Sequence, residues 1–201
     1  MRHLVLSLIF ASWCHSQTVQ SRTVTSSGNF FEWDTLVNGF YKLKWGNKKL
    51  VRTYPEQFDP QEAFAGFISD NDQVIILEGS CGRSCLYALI LPLDSTSAPI
   101  RYSNPLDFDI KRNLIAYSSD QGPSVSLAVA VQDFMTGETQ FFVADDCHNA
   151  VSDFGSITIT LAQFQGARLH YEWQCFQMIP GWPQGKPISM SRTVLLEFRK
   201  R

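Results

Sequence analysis

The sequence lacks the short motifs that mark several common classes of enzyme. No G-x-S-x-G element is present to position a nucleophilic serine, and no glycines cluster before a helix as in a phosphate-binding loop. After residue 16, only His148 and His170 remain to act as the base for a nucleophile. The adjacent carboxylates in "VADDC" lie in a turn-like context that does not define a glycosidase pair. These absences favour a protein that is not an enzyme.

Charge and hydrophobicity argue against two further classes. The net charge is -2, and no cluster of lysine and arginine exceeds the short "FRKR" near the C-terminus. A surface that tracks the phosphates of a nucleic acid is therefore not expected. Beyond the N-terminal stretch, no apolar run reaches the length of a membrane span. We expect neither a nucleic-acid partner nor a membrane span.

The N-terminus has the layout of a secretory signal peptide. In "MRHLVLSLIFASW" a basic residue precedes an apolar stretch that is too short to cross a bilayer. Cys14 and Ser16 then supply small residues three and one before a cut. The sequence predicts a signal peptide over residues 1–16 and a single domain over residues 17–201.

Two alternatives for the N-terminus are an acylated lipoprotein and a buried helix. Acylation of Cys14 needs a small residue at the preceding position, where the bulky Trp13 stands.

Export predicts a periplasmic or secreted protein. The absence of an N-x-[ST] sequon favours a bacterial periplasm over a eukaryotic secretory route.

Cleavage would leave four of the five cysteines in an oxidising compartment, an even number that favours two disulfides. In "EGSCGRSCLYALIL" a turn brings Cys81 close to Cys85, and Cys147 and Cys175 flank a hairpin-like stretch. Among the three possible pairings, we predict Cys81–Cys85 and Cys147–Cys175.

A zinc site is the alternative use of these side chains. It would recruit Cys147, His148, His170 and Cys175, which offer suitable ligand atoms but no CxxC or HxxxH spacing. A redox CxxC motif is excluded because three residues, not two, separate Cys81 from Cys85. We expect no metal and no other cofactor.

The middle and the end of the chain are rich in β-branched and aromatic residues, which favour strands. The strand-like segments are "VIILEG", "CLYALILPL", "NLIAYSS", "SVSLAVAVQD", "TQFFVAD", "SITITLAQF", "RLHYEW" and "RTVLLEF". Turn residues lie between them in "SDND", "DQGP", "MTGE" and "QFQGA". Only "DPQEAFAGF" hints at a helix. The predicted fold class is all-β and antiparallel.

One part of the chain echoes another at an offset of forty residues. Residues 74–102 align without gaps on residues 114–142, and Ala88 meets Ala128 as one of five identities. Strand, glycine-containing turn, strand, turn and strand follow in the same order. Forty residues is the length of a propeller blade.

This rhythm resembles that of secreted β-propellers, without a WD or kelch signature. The resemblance implies a small or incomplete β-propeller-like fold with about forty-residue repeats. A β-sandwich is the alternative, because short strands at regular spacing predict both folds.

Two segments outside the repeat also predict local structure. The segment "FYKLKWGNKKLVRTY" predicts a hairpin that turns at "GN". Tyr41, Leu43 and Trp45 would share its core face, whereas Lys42 and Lys44 would form a solvated face. Near the C-terminus, "QMIPGWPQGKP" predicts a Pro/Gly-rich connection before the last strand.

Binding without catalysis should use loops that are rigid and exposed. Equivalent turns of successive repeats emerge on one face of a propeller, so "SCGRSC" and "SSDQGPS" are predicted neighbours. A disulfide would tie the first and Pro123 would stiffen the second, which lowers the entropy lost on binding. The predicted partner contacts are Arg83, Ser84, Ser119, Asp120, Gln121 and, as a secondary candidate, Trp182.

Plainer roles compete with these contacts. Both segments are also compatible with ordinary hairpin turns, and Trp182 with a lid over the core.

In overall plan, an exported, cystine-bearing, small or partial propeller without catalytic residues resembles periplasmic immunity proteins that block cell-wall hydrolase effectors of rival bacteria. The resemblance implies another protein as partner, such as a secreted cell-wall hydrolase, with the loop from Ser118 to Ser124 plugging its active-site cleft. An envelope scaffold or a lectin-like domain that uses exposed aromatics is the alternative.

Overall fold

A computed structural model describes residues 20–82, 85–119, 128–144, 157–179 and 182–198. Within these residues the chain forms fifteen β-strands and no α-helix. The predicted all-β, antiparallel class is therefore confirmed. None of the described segments forms a helix long and apolar enough to cross a bilayer.

The strands form four antiparallel sheets in chain order. The first sheet contains β1 (Gln20–Val24), β2 (Phe30–Thr35), β3 (Tyr41–Gly46) and β4 (Val51–Thr53). The second contains β5 (Gly66–Asp70), β6 (Val74–Ser80), β7 (Leu86–Pro92) and β8 (Ile100–Ser103). The third contains β9 (Pro105–Asp109), β10 (Leu114–Ser119), β11 (Ala128–Asp133) and β12 (Thr139–Val143). The fourth contains β13 (Thr158–Gln165), β14 (Arg168–Ile179) and β15 (Trp182–Leu195).

The second sheet is buried on both faces, which explains the uninterrupted apolar run at the start of β6. Ile75 and Leu77 join Trp45 in a cluster shared with the first sheet. Val74 and Ile76 point the other way and pack in a cluster with Ile115 of the third sheet. A strand covered on both faces needs apolar residues at every position, not at alternate ones.

The third sheet uses the same alternation to join its two neighbours. Ile115 faces the second sheet, whereas Leu114 and Ala116 pack with Tyr171 and Trp173 of the fourth. Three clusters therefore link the first sheet to the second, the second to the third and the third to the fourth. Within the described part of the chain, none of them brings the fourth sheet against the first.

The forty-residue echo corresponds to repeated structural units. The strands β6 and β10 begin at Val74 and Leu114, and each is the second strand of a four-stranded antiparallel meander. The predicted identity of strand order in the two segments is thus confirmed. The described residues do not show closure into a propeller ring.

The predicted N-terminal hairpin is confirmed, but its lysines are not simply solvated. Leu43 and Trp45 are fully buried. On the opposite face, Lys44 Nζ lies 2.5 Å from Asp34 Oδ2 and 3.9 Å from Glu32 Oε1. The predicted hairpin is therefore one half of a larger sheet, in which β2 supplies both carboxylates.

The hint of a helix in "DPQEAFAGF" is wrong as a prediction, because this segment makes a single turn. Asp59 Oδ1 accepts hydrogen bonds from the backbone N–H groups of Gln61 and Glu62. Phe64 then adopts a positive φ of 67° and Gly66 begins β5. The left-handed residue ends the turn before a second one can form.

The prediction that "QMIPGWPQGKP" is a Pro/Gly-rich connection before the last strand is also wrong, because residues 177–179 and 182–187 lie in strands. The segment belongs to a long hairpin in which β14 continues to Ile179 and β15 starts at Trp182, its pairing partner. Proline is tolerated there because β15 has only β14 as its neighbour in the described sheet, so one of its edges needs no partner.

Candidate functional site

Connections between strands alternate between the two ends of the sheets. We call the loop end the one that carries the β2–β3, β6–β7 and β10–β11 connections. The turn end carries the β1–β2, β3–β4, β5–β6, β7–β8, β9–β10 and β11–β12 turns. Both definitions follow from the meander order within each sheet.

The loop ends of the second and third sheets lie side by side. Asn104 is the only residue between β8 and β9, and it adopts a left-handed φ of 51°. Its N–H donates to Leu86 O over 2.9 Å, and its carbonyl accepts from Ser118 N over 3.0 Å. Leu86 starts β7 and Ser118 lies next to the end of β10, so the β6–β7 and β10–β11 connections leave from the same end.

The turn ends of the first and second sheets also coincide. Trp45 Nε1, near the end of β3, donates to Pro92 O at the end of β7 over 2.8 Å. Because these strands are antiparallel to their neighbours, the loop ends of both sheets must lie on the opposite side.

The hairpin of the fourth sheet extends toward the loop end. Glu197 N donates to Gln140 Oε1 near the start of β12, and Tyr171 Oη donates to Val143 O at its end. The strand β14 thus runs in the same direction as β12. Its last residues, Cys175 to Ile179, continue beyond β13 and pair with β15 alone.

The predicted contact residues belong to segments that start or finish at this loop end. Ser119 is the last residue of β10 and is buried. Trp182 opens β15 beside the hairpin tip. Arg83, Ser84, Asp120 and Gln121 lie outside the described residues, and their role as contacts stays a prediction.

A disulfide at the loop end joins Cys81 to Cys85, as predicted. Cys81 N also donates to Cys85 O over 3.0 Å, so the connection is closed by both a covalent and a hydrogen bond. Cys175, which is buried on β14, is likewise disulfide-bonded. Its predicted partner, Cys147, lies outside the described residues, and that pairing stays a prediction.

The zinc alternative loses a ligand, because a disulfide-bonded Cys175 has no thiolate to offer. His170 is instead hydrogen-bonded to Thr193 Oγ1 at 3.0 Å and to Glu172 Oε1 at 3.2 Å. Across the residues the structure describes, no three His, Cys, Asp or Glu side chains come together as metal ligands would. His148 lies outside the described residues.

Exposed apolar side chains at the loop end were not predicted from the sequence. Val37 and Phe40 in the β2–β3 connection are 109% and 40% exposed, and Phe64 and Leu86 are 50% and 44% exposed. In the sequence, "LVNGF" signals this feature, because two large apolar residues flank a polar turn dipeptide. We refer to Val37, Phe40, Phe64 and Leu86 as the apolar rim.

An aromatic layer supports the apolar rim. The Phe64 ring lies 4.8 Å from Tyr41 in an edge-on arrangement, and Phe58 lies 5.0 Å from Trp33. Such offset and edge contacts stabilise aromatic clusters. Because Phe58 and Trp33 are fully buried, the rim stands on a packed core.

A charged pair fixes the β4–β5 connection to the second sheet. Arg101 Nη2 lies 2.6 Å from Glu62 Oε1, and its guanidinium sits 4.4 Å from the centre of the Tyr87 ring. Tyr87 Oη donates to Glu62 O, and burial raises the pKa of this tyrosine to about 12. Tyr87 therefore stays a neutral donor that holds the connection in place.

A polar cleft of about 400 Å³ opens between the second and third sheets. The rings of Tyr102 and Tyr117 lie 5.1 Å apart beside it. Tyr102 is only 5% exposed, and within the described structure its Oη has no hydrogen-bond partner. Burial, with nearby Tyr117 and Asp133, raises the pKa of Tyr102, so its hydroxyl is neutral. A buried hydroxyl without a hydrogen-bond partner lowers the free energy of unfolding by about 1–3 kcal/mol.

Four Asn and Asp side chains at the turn end are used in local hydrogen bonds. Asn47, Asn71, Asp94 and Asp133 each accept hydrogen bonds through Oδ1 from backbone N–H groups two and three residues later. Such turns are a common local structure for Asn and Asp. Backbone donors from Ser97 and Thr96 lower the pKa of Asp94. These side chains are committed to the turns.

Comparison of the chain with protein-family models, with curated proteins and with solved structures finds no match.

Proposed function

We propose that the protein is an exported, non-catalytic module that binds a partner protein through its loop end. The observation that carries this proposal is the apolar rim, since four large apolar side chains are exposed at the same end of the sheets as the disulfide-closed connection. Exposed apolar groups on a firm base are typical of protein interaction sites. The predicted contact segments start or finish at the same end of the sheets.

Inhibition of a secreted cell-wall hydrolase is the specific activity we favour. One feature supports it: a disulfide closes the β6–β7 connection at the loop end, so this part of the surface is preorganised. The short disulfide loop lowers the entropy lost on binding, which a tight inhibitor requires. An envelope scaffold is the alternative that would use the same surface without blocking an enzyme.

The link at Asn104 supports the sandwich alternative for the second and third sheets. In a propeller the chain crosses from one edge of a four-stranded blade to the opposite edge of the next, about 14 Å at the usual strand spacing. One residue spans only about 3.5 Å. A strand that bends from one sheet directly into the next is instead the corner of a layered sandwich. The forty-residue repeat, which covers the same two sheets, is the observation that favours the propeller instead.

The binding proposal can be tested with a photoreactive residue at two positions. Placed at Val37, it should cross-link one specific protein from envelope extract, whereas at Val51, an exposed valine at the turn end, it should not. If the photoreactive residue captures the same proteins at both positions, the assignment of the binding surface to the loop end is wrong.

The inhibitory activity has its own test. The captured protein is purified and its hydrolysis of peptidoglycan is measured with increasing amounts of the binder. The double variant Val37→Ser with Phe40→Ser should weaken inhibition roughly thirtyfold or more if the rim is central. The matched variant Val24→Ser with Val51→Ser should inhibit normally. Capture of a protein whose activity is unaffected would refute the inhibitor role and favour the scaffold.

A further inference from the structure

The cleft between the second and third sheets combines aromatic rings with hydroxyl and amide groups. The residues that line it include Arg101, Tyr102, Ser103, Tyr117, Ser118 and Gln132. The residues come from β8, β10 and β11, so the walls are strands and not flexible loops. A site built on such elements holds its shape without a ligand.

Charge at the cleft argues for a neutral ligand. Among the described residues that line it, Arg101 is the one that carries a charge. Its guanidinium is already bound to Glu62 Oε1 at 2.6 Å and packed on the Tyr87 ring. The remaining polar groups are hydroxyls and an amide, which recognise neutral hydrogen-bonding partners.

Gln132 is oriented by the protein itself. Its Nε2 donates to Gly137 O over 3.1 Å, which leaves Oε1 to accept a hydrogen bond from a hydroxyl group. Tyr117 is half-buried and packs on Tyr102, so one ring at the cleft can contact the apolar face of a small ring.

The size of the cleft limits what it can hold. Its volume of about 400 Å³ lies near the lower end of the range for ligand pockets. It therefore suits a single small ring, not an extended chain.

The buried Oη of Tyr102 is the second observation that points to a ligand. Buried polar groups without partners are rare in folded proteins, and they concentrate where function opposes stability. Tyr102 lines the cleft, so a ligand hydroxyl that displaces the groups covering this oxygen would pair with it and remove the unfavourable state.

We propose that this cleft binds a neutral monosaccharide, with the sugar ring packed on Tyr117 and its hydroxyls paired with Gln132, Ser103, Ser118 and Tyr102. Pyranoses offer what these walls recognise: a small ring with an apolar face, several hydroxyls and no charge. This binding is independent of the partner protein at the loop end.

The test uses nitrogen-15 NMR titrations of the full exported chain with glucose, galactose and N-acetylglucosamine. Glucuronic acid and glucosamine serve as charged comparators. At least one neutral sugar should bind saturably with a dissociation constant on the order of millimolar, and shifts should centre on Tyr102, Tyr117 and Gln132. The variant Tyr117→Ala should abolish these shifts.

The conservative variant Tyr102→Phe separates a binding role from a structural one. It should weaken binding of the same sugar about fivefold, which is the effect of one hydrogen bond, without lowering the melting temperature of the protein. Tyr54→Phe, which changes a buried tyrosine outside the cleft, should bind normally. The proposal fails if no neutral sugar saturates at about 20 mM. Binding of only the charged sugars, or binding that survives Tyr117→Ala, would equally overturn it.

Discussion

Asn29 donates a hydrogen bond from Nδ2 to Asp70 Oδ2 over 2.8 Å and thereby joins the β1–β2 turn to the end of β5. Thr25 Oγ1 donates to the same carboxylate oxygen over 2.6 Å, and Ser27 Oγ is a third donor. One carboxylate thus ties the first sheet to the second at the turn end. The clusters of apolar residues hold the sheets together, and this contact fixes the position of the first sheet against the second at the turn end.

Replacing Asp70 by Ala should lower the free energy of unfolding by about 1–2 kcal/mol, because three donors lose a charged acceptor that is partly exposed. Chemical denaturation at neutral pH measures this change. The control is Asp72→Ala, two residues further along the chain in the β5–β6 turn. Asp72 has no comparable set of donors among the described contacts, so its replacement should leave the free energy of unfolding nearly unchanged. Equal effects of the two variants would contradict the special role of Asp70.

The stability contributed by Asp70 should depend on pH. Burial opposes ionisation of Asp70, but the hydrogen bonds from Ser27, Thr25 and Asn29 outweigh it and lower the pKa. A carboxyl whose pKa is lower in the folded state contributes fully above its unfolded value of about 4 and loses this contribution as pH falls through the folded value. Asp70→Asn should flatten this part of the stability curve between about pH 5 and pH 2. A wild-type curve with the same slope as the variant would count against it.

Gly79 has no room for a side chain. A Cβ at this position of β6 would clash with the ring of Tyr87, which is 1% exposed and held by Glu62. We therefore expect Gly79→Ala to lower the free energy of unfolding by about 1–3 kcal/mol, as overpacking does elsewhere. Gly66→Ala is the control, because its Cβ would meet only Glu78 O at 3.8 Å. Similar melting temperatures for the two variants would be evidence against the clash.

The disulfides should contribute unequally to stability. Peptide mapping without reductant should find Cys81 linked to Cys85 and no free thiol after export. On the loop-entropy model, removing this pair costs about 2 kcal/mol, whereas a Cys147–Cys175 bond, which closes a longer loop, would cost about 3.6 kcal/mol. Comparing the double serine variants by denaturation checks the order, and a larger loss for the short loop would reverse our interpretation.

Local pattern alone was enough to predict the all-β class, the repeat and the first disulfide. Alternation and β-branched residues mark strands wherever they pack, and the four-residue offset of Cys81 and Cys85 lets one turn bring them together. The hairpin around Trp45 followed for the same reason, since its period of two separates the buried and exposed faces.

The candidate site depended on contacts that local pattern does not encode. The exposure of Val37 and Phe40 had only a weak signal in "LVNGF", because apolar residues beside a turn are as compatible with a core as with a surface. The same holds for the unpaired hydroxyl of Tyr102, whose surroundings come from the neighbouring sheet.

The sequence by itself determined where the strands and turns lie, because side-chain shape and backbone preference act over a few residues. Only the tertiary structure decided which faces of those strands meet. It turned the helix-like "DPQEAFAGF" into one turn and the Pro/Gly-rich "QMIPGWPQGKP" into part of a hairpin. The physical reason is that burial between sheets and pairing along a strand involve residues far apart in the chain, and together these contacts outweigh weak local preferences.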